Sequence, residues 1–351
     1  MIATAQPSRT PKTAIEQTLM THHLSRRRFI RISAAMAGLA LAPRATDAAQ
    51  DMSGLVEWRG TLLGAVATMK LHHPDRAEAE RLIARSVAEA RRLERLFSLY
   101  LPDSALVTLN RTGVLVEPAP ELVDILTLSQ RYAVLTEGRF DPTVQPLWTL
   151  YADHFARPDA DPDGPKRAAI REALARVGYH RLTVSRDRIV MPQGTAITLN
   201  GVAQGYVTDR IVDLLRSQGV RQSLVDMGEA RAIGTRPDGH PWDVAIEDPD
   251  VAGRTAEMLA VIDRAVSTSG AYGFRFDPQG RFNHLFDPQS GGCAHSYRSV
   301  ATVAADATAA DALSTAFSIM PETDIRAVMP RAGIDRVHLI DANGVAVDLI
   351  A

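Results

Sequence analysis

Asp311 and Thr315 stand four residues apart in the alanine-rich run Ala-Asp-Ala-Leu-Ser-Thr-Ala, Ala310 to Ala316. On a helix that spacing puts both side chains on one face. A carboxylate beside a hydroxyl is a hard-oxygen pair, suited to Mg2+ rather than zinc, and magnesium keeps waters and takes substrate phosphate as a ligand. The spacing equally suits a structural pair, with Asp311 capping the helix start and Thr315 bonding back to a carbonyl. A second cluster is His284-Leu285-Phe286-Asp287-Pro288 with Ser290-Gly291-Gly292. It offers a general base with an orienting carboxylate, or a solvated strand histidine before a turn. His22, His23, His72, His73, His240 and His295 show no ligand spacing, and adjacent pairs on a strand face opposite ways.

The third stretch is Ile197 to Val220, ITLNGVAQGYVTDRIVDLLRSQGV. A strand end at Ile197 and Leu199, a turn at Asn200-Gly201 and a second glycine, Gly205, lead into a helical pattern. Val207, Ile211, Leu214 and Leu215 make its apolar face, and Gly219 should stop it. Strand, glycine turn and helix form a geometry in which backbone groups approach a phosphate at a helix N-terminus. They also form a helix docked on a sheet through a glycine. Neither GxGxxG nor GxxxxGK[ST] is present.

Around these residues the pattern is mixed α+β. Gly54 to His73 reads as a strand pair bending at Gly60 or Gly64. Asp75 should cap a long helix to Phe97 with the stripe Ala79, Leu82, Ile83, Val87, Ala90, Leu93 and Phe97. Leu106 to Arg111 reads as irregular, and Glu121 to Thr136 as a helix closed at Gly138. In FDPTVQPLW, Phe140 to Trp148, two prolines argue against a regular helix. Lys166 to Val177 should be helical and Arg181 to Met191 a hairpin-like pair. Short strands follow at Ser223 to Met227, Arg231 to Gly234, Trp242 to Ile246 and Met258 to Ile262. A strand at Ser299 to Ala304, a helix at Ala309 to Met320 and a hairpin turning at Asn343-Gly344 close the chain.

The 351 residues are 46% apolar and 23% charged, with net charge −2, or about −7 without the basic first 49. A mildly acidic body without basic runs does not suit nucleic acid or an anionic membrane surface. The single cysteine, Cys293, excludes an intrachain disulfide and a multi-cysteine zinc site. Ser25-Arg26-Arg27-Arg28-Phe29-Ile30 precedes a weakly apolar run, Ile32 to Ala42, too short to span a bilayer, with small residues at Ala45 to Ala49. This is similar to a twin-arginine export signal, residues 1–49, ahead of one domain, residues 50–351. The expectation is a soluble periplasmic protein with no membrane insertion after cleavage.

Taken together, six segments resemble the ApbE family, the FAD:protein FMN transferases. In order they are LLGAV (Leu62 to Val66), FSLYLPDS (Phe97 to Ser104), FDPTVQPL (Phe140 to Leu147), TLNGVAQGYVTD (Thr198 to Asp209), HLFDPQSG (His284 to Gly291) and ADALSTA. The likeness spans roughly Leu55 to Met320. It implies a two-lobed α+β catalytic domain with mixed sheets and packed helices. The implied reaction splits FAD, transfers FMN to a Thr or Ser hydroxyl of an exported or membrane-bound flavoprotein, and releases AMP, with Mg2+. By position, Asp311, Thr315 and the Gly201 carbonyl would hold the metal, and His284 would be the base. Leu63, Tyr100, Asp141, Pro142, Thr143, Thr198, Gln204 and Leu285 would contact the flavin nucleotide. Thr198 stands where the family usually has Asp, Gln204 where it often has Lys or Glu, and Ala65 replaces a threonine. The first two keep hydrogen bonding and lose charge. An FAD pyrophosphatase giving FMN and AMP, and an inactive flavin-binding protein, are the alternatives.

Overall fold

The computed structural model describes residues 54–351. The expected export signal lies outside the described residues. β1 (Leu55–Leu62) and β2 (Ala65–His72) pair antiparallel, with Leu62 opposite Ala65. The bend is Leu63-Gly64, at φ 52° and 76°, the left-handed pair that a two-residue hairpin turn requires. α1 (Arg76–Phe97) is capped by Asp75, whose carboxylate accepts from Ala77 N and Glu78 N, and it buries the expected stripe with Ser86 more deeply than Val87.

Ala105–Thr112, expected to be irregular, is α2: Ser104 caps it and Gly113 ends it at φ 73°. β3 (Val114–Val116) and α3 (Pro120–Leu135) follow. α4 (Gln145–Phe155) starts inside the two-proline motif. Pro146 sits in its first turn, where a missing N–H breaks no helical bond, so the prolines open a helix instead of forbidding one. α5 (Arg167–Leu174), β4 (Thr183–Val184) and β5 (Arg188–Val190) come next, β5 joining β3 and β4 in a small sheet. Ile197–Leu199 is not a strand. It is extended chain held by side-chain bonds from Asn110 to the Ile197 backbone at 2.7 and 2.8 Å.

α6 (Ala203–Ser217) precedes β6 (Ser223–Asp226), β7 (Ala230–Ile233), β8 (Trp242–Glu247) and β9 (Thr255–Val261). Then come β10 (Ala265–Ser269), β11 (Tyr297–Ala304), α7 (Ala307–Phe317), α8 (Glu322–Ala332), β12 (Ile334–Asp341) and β13 (Ala346–Ile350). β10 and α8 were not expected. β10 mixes serines with apolar residues, and α8 carries Pro330 near its end.

One antiparallel sheet, in the order β1-β2-β6-β7-β10-β11-β12-β13, organises the body. Its helix-side face packs against α1, α6 and α7 around Met69, Leu71, Leu93, Ile211 and Phe317. Its other face is covered by the β8–β9 hairpin through Trp242, Ile246 and Leu259. β11 is therefore buried on both sides. Val300 and Ala304 face the helices, Ala301 and Val303 the hairpin, and the strand is buried without a break from Ser299 to Ala304, where a one-sided strand would alternate. The α+β expectation holds.

A smaller cluster joins α4 and α5 to the segment 270–296, through Leu147, Tyr151, Ala173 and Phe286. Tyr151 and Phe286 have ring centroids 5.0 Å apart, Trp148 and Phe276 5.9 Å. Aromatic contacts, with only isolated bridges, fix this segment. Among the described residues no helix is long and apolar enough to cross a membrane.

Candidate active site

α6 and α7 run antiparallel with their N-terminal ends overlapping, and positions four residues apart meet rung by rung. At the first rung, a Cβ placed on Gly201 would lie 2.9 Å from Thr315 Oγ1. At the second, Gly205 N donates to Asp311 Oδ2 at 2.9 Å. At the third, Asp209 Oδ1 accepts from Ala307 N at 2.8 Å. Such close approach needs small residues: a Cβ on Gly205 would sit 2.6 Å from the carbonyl carbon of Ala307 and 2.8 Å from Asp311 Cβ. Asp311 and Thr315 do share a face, as their spacing requires. The helix cap is Asp306, which accepts from Ala309 N at 2.8 Å, so the structural role considered for Asp311 falls to another residue. The α6 N-terminus, considered for a phosphate, gives its Gly205 amide to that carboxylate.

Asp311 is buried, and so is Glu229, a carboxylate that sequence reasoning missed. Burial pushes Asp311 up to about 7, with the nearby Asp209 charge adding to it, and holds Glu229 well above its usual range, with Asp311 adding to it. Among the described residues neither carboxylate has a cationic partner, and an ionised carboxylate buried without one is costly. A serine cluster extends the polar lining: Ser269 Oγ lies 2.8 Å from Ser314 Oγ and 3.4 Å from Thr315 Oγ1. Among the described residues no three His, Cys, Asp or Glu side chains converge on a cation position. The donors gathered here are instead one carboxylate, one hydroxyl and glycine backbone, which fits a hard cation that keeps waters.

Thr198 N donates to Pro142 O at 2.8 Å, tying the extended segment to the Phe140–Val144 turn. Within that turn, Asp141 Oδ1 accepts from Thr143 N and Oγ1 at 2.8 and 2.6 Å, and Oδ2 from Tyr179 N at 2.8 Å. Thr143 Oγ1 also accepts from Gly178 N at 2.7 Å. Both side chains are thus committed to holding the turn. Asn200 Nδ2 donates to the half-exposed Tyr100 at 3.2 Å, which brings Tyr100 beside Gly201. Gln204 folds over Gly228, where no Cβ would fit beside its amide. Leu63 sits on the β1–β2 turn, its N–H held by Glu94 near the end of α1.

His284 Nδ1 lies 3.3 Å from Phe274 O, and the ring packs on Gly273, where a Cβ would be 3.1 Å from Cε1. A neutral ring donating from Nδ1 keeps its lone pair on Nε2. Burial lowers the His284 pKa, so the ring is neutral at pH 7. The orienting group is this carbonyl and not Asp287. Asp287 instead accepts from Ser290 Oγ at 2.8 Å and Gln289 N at 3.0 Å and pairs with Arg139 at 3.2 Å, shaping its own loop. Leu285 is buried, with its N–H on Asn283 Oδ1. Ser269, beside Thr315, and Gly273, beneath His284, are four positions apart in the chain. Their Cα atoms therefore lie within about 14 Å of each other, which puts the histidine on the same side of the molecule as the oxygen pair.

A family model described as "ApbE family" matches residues 63–337. The chain belongs to the ApbE family. Among ApbE relatives, an FAD:protein FMN transferase of Klebsiella pneumoniae (strain 342) is 31% identical over 315 residues, covering 86% of this chain and 88% of its own. One of Treponema pallidum (strain Nichols) is 31% identical over 296 residues, covering 71% and 79%. The ApbE protein of Thermotoga maritima superposes with a TM-score of 0.74 at 27% identity, over 84% of this chain and 96% of its own. The apo form of the Pseudomonas stutzeri flavinyl transferase ApbE gives 0.72 at 28%, over 86% and 96%.

Asp209 is the other residue that sequence reasoning left without a role, although the signal was there. It stands four residues after Gly205, as Asp311 stands four after Ala307. Glu229 had no such signal: it follows Met227-Gly228 after β6, and only the folded packing brings it near Asp311.

Proposed function

We propose that this protein transfers FMN from FAD to a Thr or Ser hydroxyl of an acceptor protein, releasing AMP, with Mg2+ held at Asp311, Thr315 and the Gly201 carbonyl. The observation that carries the reading is the antiparallel rung pattern, which sets Thr315 against Gly201 and Asp311 against Gly205 beside a second buried carboxylate. Bound there, Mg2+ would neutralise the pyrophosphate and the charge on departing AMP.

The chain's own residues supply the rest. His284, neutral and with Nε2 open, takes the proton of the acceptor hydroxyl. The hydroxyl oxygen bonds to the FMN phosphorus, the pyrophosphate P–O bond breaks, and AMP leaves with the bridging oxygen. Positioning carries most of such a transfer. The fastened Phe140–Val144 turn, Thr198, Asn200 and Tyr100 give the dinucleotide a rigid edge, with Leu63, Pro142, Gln204 and Leu285 as the remaining contacts. The acceptor is an exported or membrane-bound flavoprotein, and the site of action is the periplasm. Both follow from the twin-arginine pattern.

The test incubates the protein with FAD and Mg2+, with and without a periplasmic extract of the source cells. Intact-protein mass spectrometry follows FMN on an acceptor, and chromatography follows AMP. One FMN on one protein, lost in Asp311→Ala, is the expected result. AMP without a modified protein would replace the transferase with a pyrophosphatase. FAD left intact in both arms would leave a binding protein.

A further inference from the structure

Asp209 stands outside the donor set, yet it is the most heavily bonded carboxylate of the region. It is buried. Oδ1 accepts from Ala307 N at 2.8 Å and from Arg231 Nη1 at 2.5 Å, and Oδ2 accepts from Thr308 N at 2.8 Å and Thr308 Oγ1 at 2.5 Å. Two of these donors are the first amides of α7, which have no partner within their own helix. The partial positive charge of that helix end favours the carboxylate.

The arrangement is reciprocal. On each helix a small residue, Gly205 or Ala307, marks the crossing, and a carboxylate four residues on reaches the amide of the other helix's small residue. Asp311 does this for Gly205 and Asp209 for Ala307. The two bonds together define one antiparallel register. That register places Thr315 opposite Gly201, one rung further along. Sliding α7 by one residue moves every rung by about 1.5 Å and turns Thr315 away from Gly201.

We propose that Asp209 is a positioning residue for the oxygen pair: its clamp on the α7 N-terminus sets the axial position of Asp311 and Thr315 against Gly201. Arg231 completes the device. It supplies the cation that keeps Asp209 paired inside the protein, with side chains only 11% and 12% exposed. The charge of Asp209 is thus consumed structurally, while that of Asp311 is left for a metal. The inference rests on the metal reading given above, and it assigns a role to the aspartate that ends the Gly-Tyr-Val-Thr-Asp segment.

The experiment measures Mn2+ binding to the full-length protein by electron paramagnetic resonance, and FAD binding by fluorescence without metal. The variants are wild type, Asp209→Asn, Thr308→Val and Leu259→Ala, with melting temperatures recorded for each. Asp209→Asn should weaken Mn2+ binding about 10–100-fold, as loss of a supporting partner does at metal sites. FAD binding should stay within about twofold. Thr308→Val removes one bond to Asp209 and keeps the buried ion pair. It should shift Mn2+ affinity in the same direction by about threefold or more, and it remains informative should Asp209→Asn fail to fold.

Leu259→Ala lies on the far face of the sheet, so it should lower the melting temperature and leave Mn2+ binding unchanged. Wild-type Mn2+ affinity in Asp209→Asn, or in Thr308→Val should that be the only folded variant, overturns the proposal. An equal loss of affinity in Leu259→Ala does the same by showing a generic effect of instability. Absence of Mn2+ binding in wild type overturns the metal reading itself, and the positioning role with it.

Discussion

Gly205→Ala puts the crossing of α6 and α7 to a test in which two physical effects predict opposite signs. Helix propensity alone says that replacing glycine by alanine inside a helix stabilises by up to about 1 kcal/mol. The crossing says otherwise. The new Cβ would lie 2.6 Å from the Ala307 carbonyl carbon and 2.8 Å from Asp311 Cβ. Reaching ordinary carbon contact near 3.5 Å requires the helices to part by about 0.9 Å. Overpacking of this kind costs about 1–3 kcal/mol, and weakening the buried Gly205–Asp311 bond adds about 1 kcal/mol or more. Set against the propensity gain, the net effect is a loss of about 1–3 kcal/mol, read as a melting temperature lower by roughly 2–5 °C. The same parting exceeds the roughly 0.2 Å tolerance of metal coordination, so Mn2+ affinity and Mg2+-dependent AMP release should fall at least about tenfold. Calorimetry without metal and an AMP assay across Mg2+ concentrations give the two numbers. Gly219→Ala is the control. Nothing lies within 4 Å of a Cβ there, so it should cost about 1–2 kcal/mol from its φ of +82° and leave metal affinity alone. A Gly205→Ala protein as stable as wild type, with unchanged Mn2+ affinity, would refute the close crossing.

Other outcomes follow from the same geometry. His284→Ala should slow FMN transfer about 10²–10⁴-fold with FAD binding retained, and at saturating Mg2+ the wild-type transfer rate should rise with pH through a midpoint below 6.5, because burial lowers the histidine pKa; a midpoint above 7.5 under saturating metal would exclude it as the base. Asp311, held up to about 7 without metal, keeps a proton in the folded state that the unfolded chain releases near its usual value of 3.8. Stability of the metal-free protein relative to Asp311→Asn should therefore decline as pH rises from about 4 to 7, and Mn2+ affinity should fall up to about tenfold per pH unit below 7. A flat difference across that window would refute the raised pKa. Asp141→Ala strips the partners of Thr143 N and Tyr179 N inside the turn and should cost about 2–4 kcal/mol in urea unfolding. Thr198→Asp adds a negative charge on the segment tied to Pro142 and should change FAD affinity with little effect on melting temperature; no change in FAD affinity would remove Thr198 from the nucleotide contacts.

Much of the architecture was legible in local signals. Asp75 and the apolar stripe of α1, the Asn343-Gly344 hairpin and the burial of Val207 and Ile211 in α6 all depend on neighbours within a turn or two. The departures have equally local causes. Pro146, a helix breaker by residue type, opens α4, and in β10 Ser267 and Ser269 interrupt the apolar pattern, which their hydroxyl contacts with Ser314 of α7 make compatible with a strand.

What the amino-acid order determined by itself was the i, i+4 pairing of Asp311 with Thr315, the histidine beside an Asp-Pro turn and six ordered motifs that carry the family. Tertiary structure alone decided how these meet. It set Gly205 against Ala307, turned Asp287 away to Arg139 and gave His284 a carbonyl in its place, and brought Glu229 beside Asp311. Helical periodicity is a property of a few consecutive residues, so it can be read along the chain. The register between two helices, and the burial that shifts a carboxylate, come from atoms about a hundred residues apart in sequence, and only the folded packing brings those together.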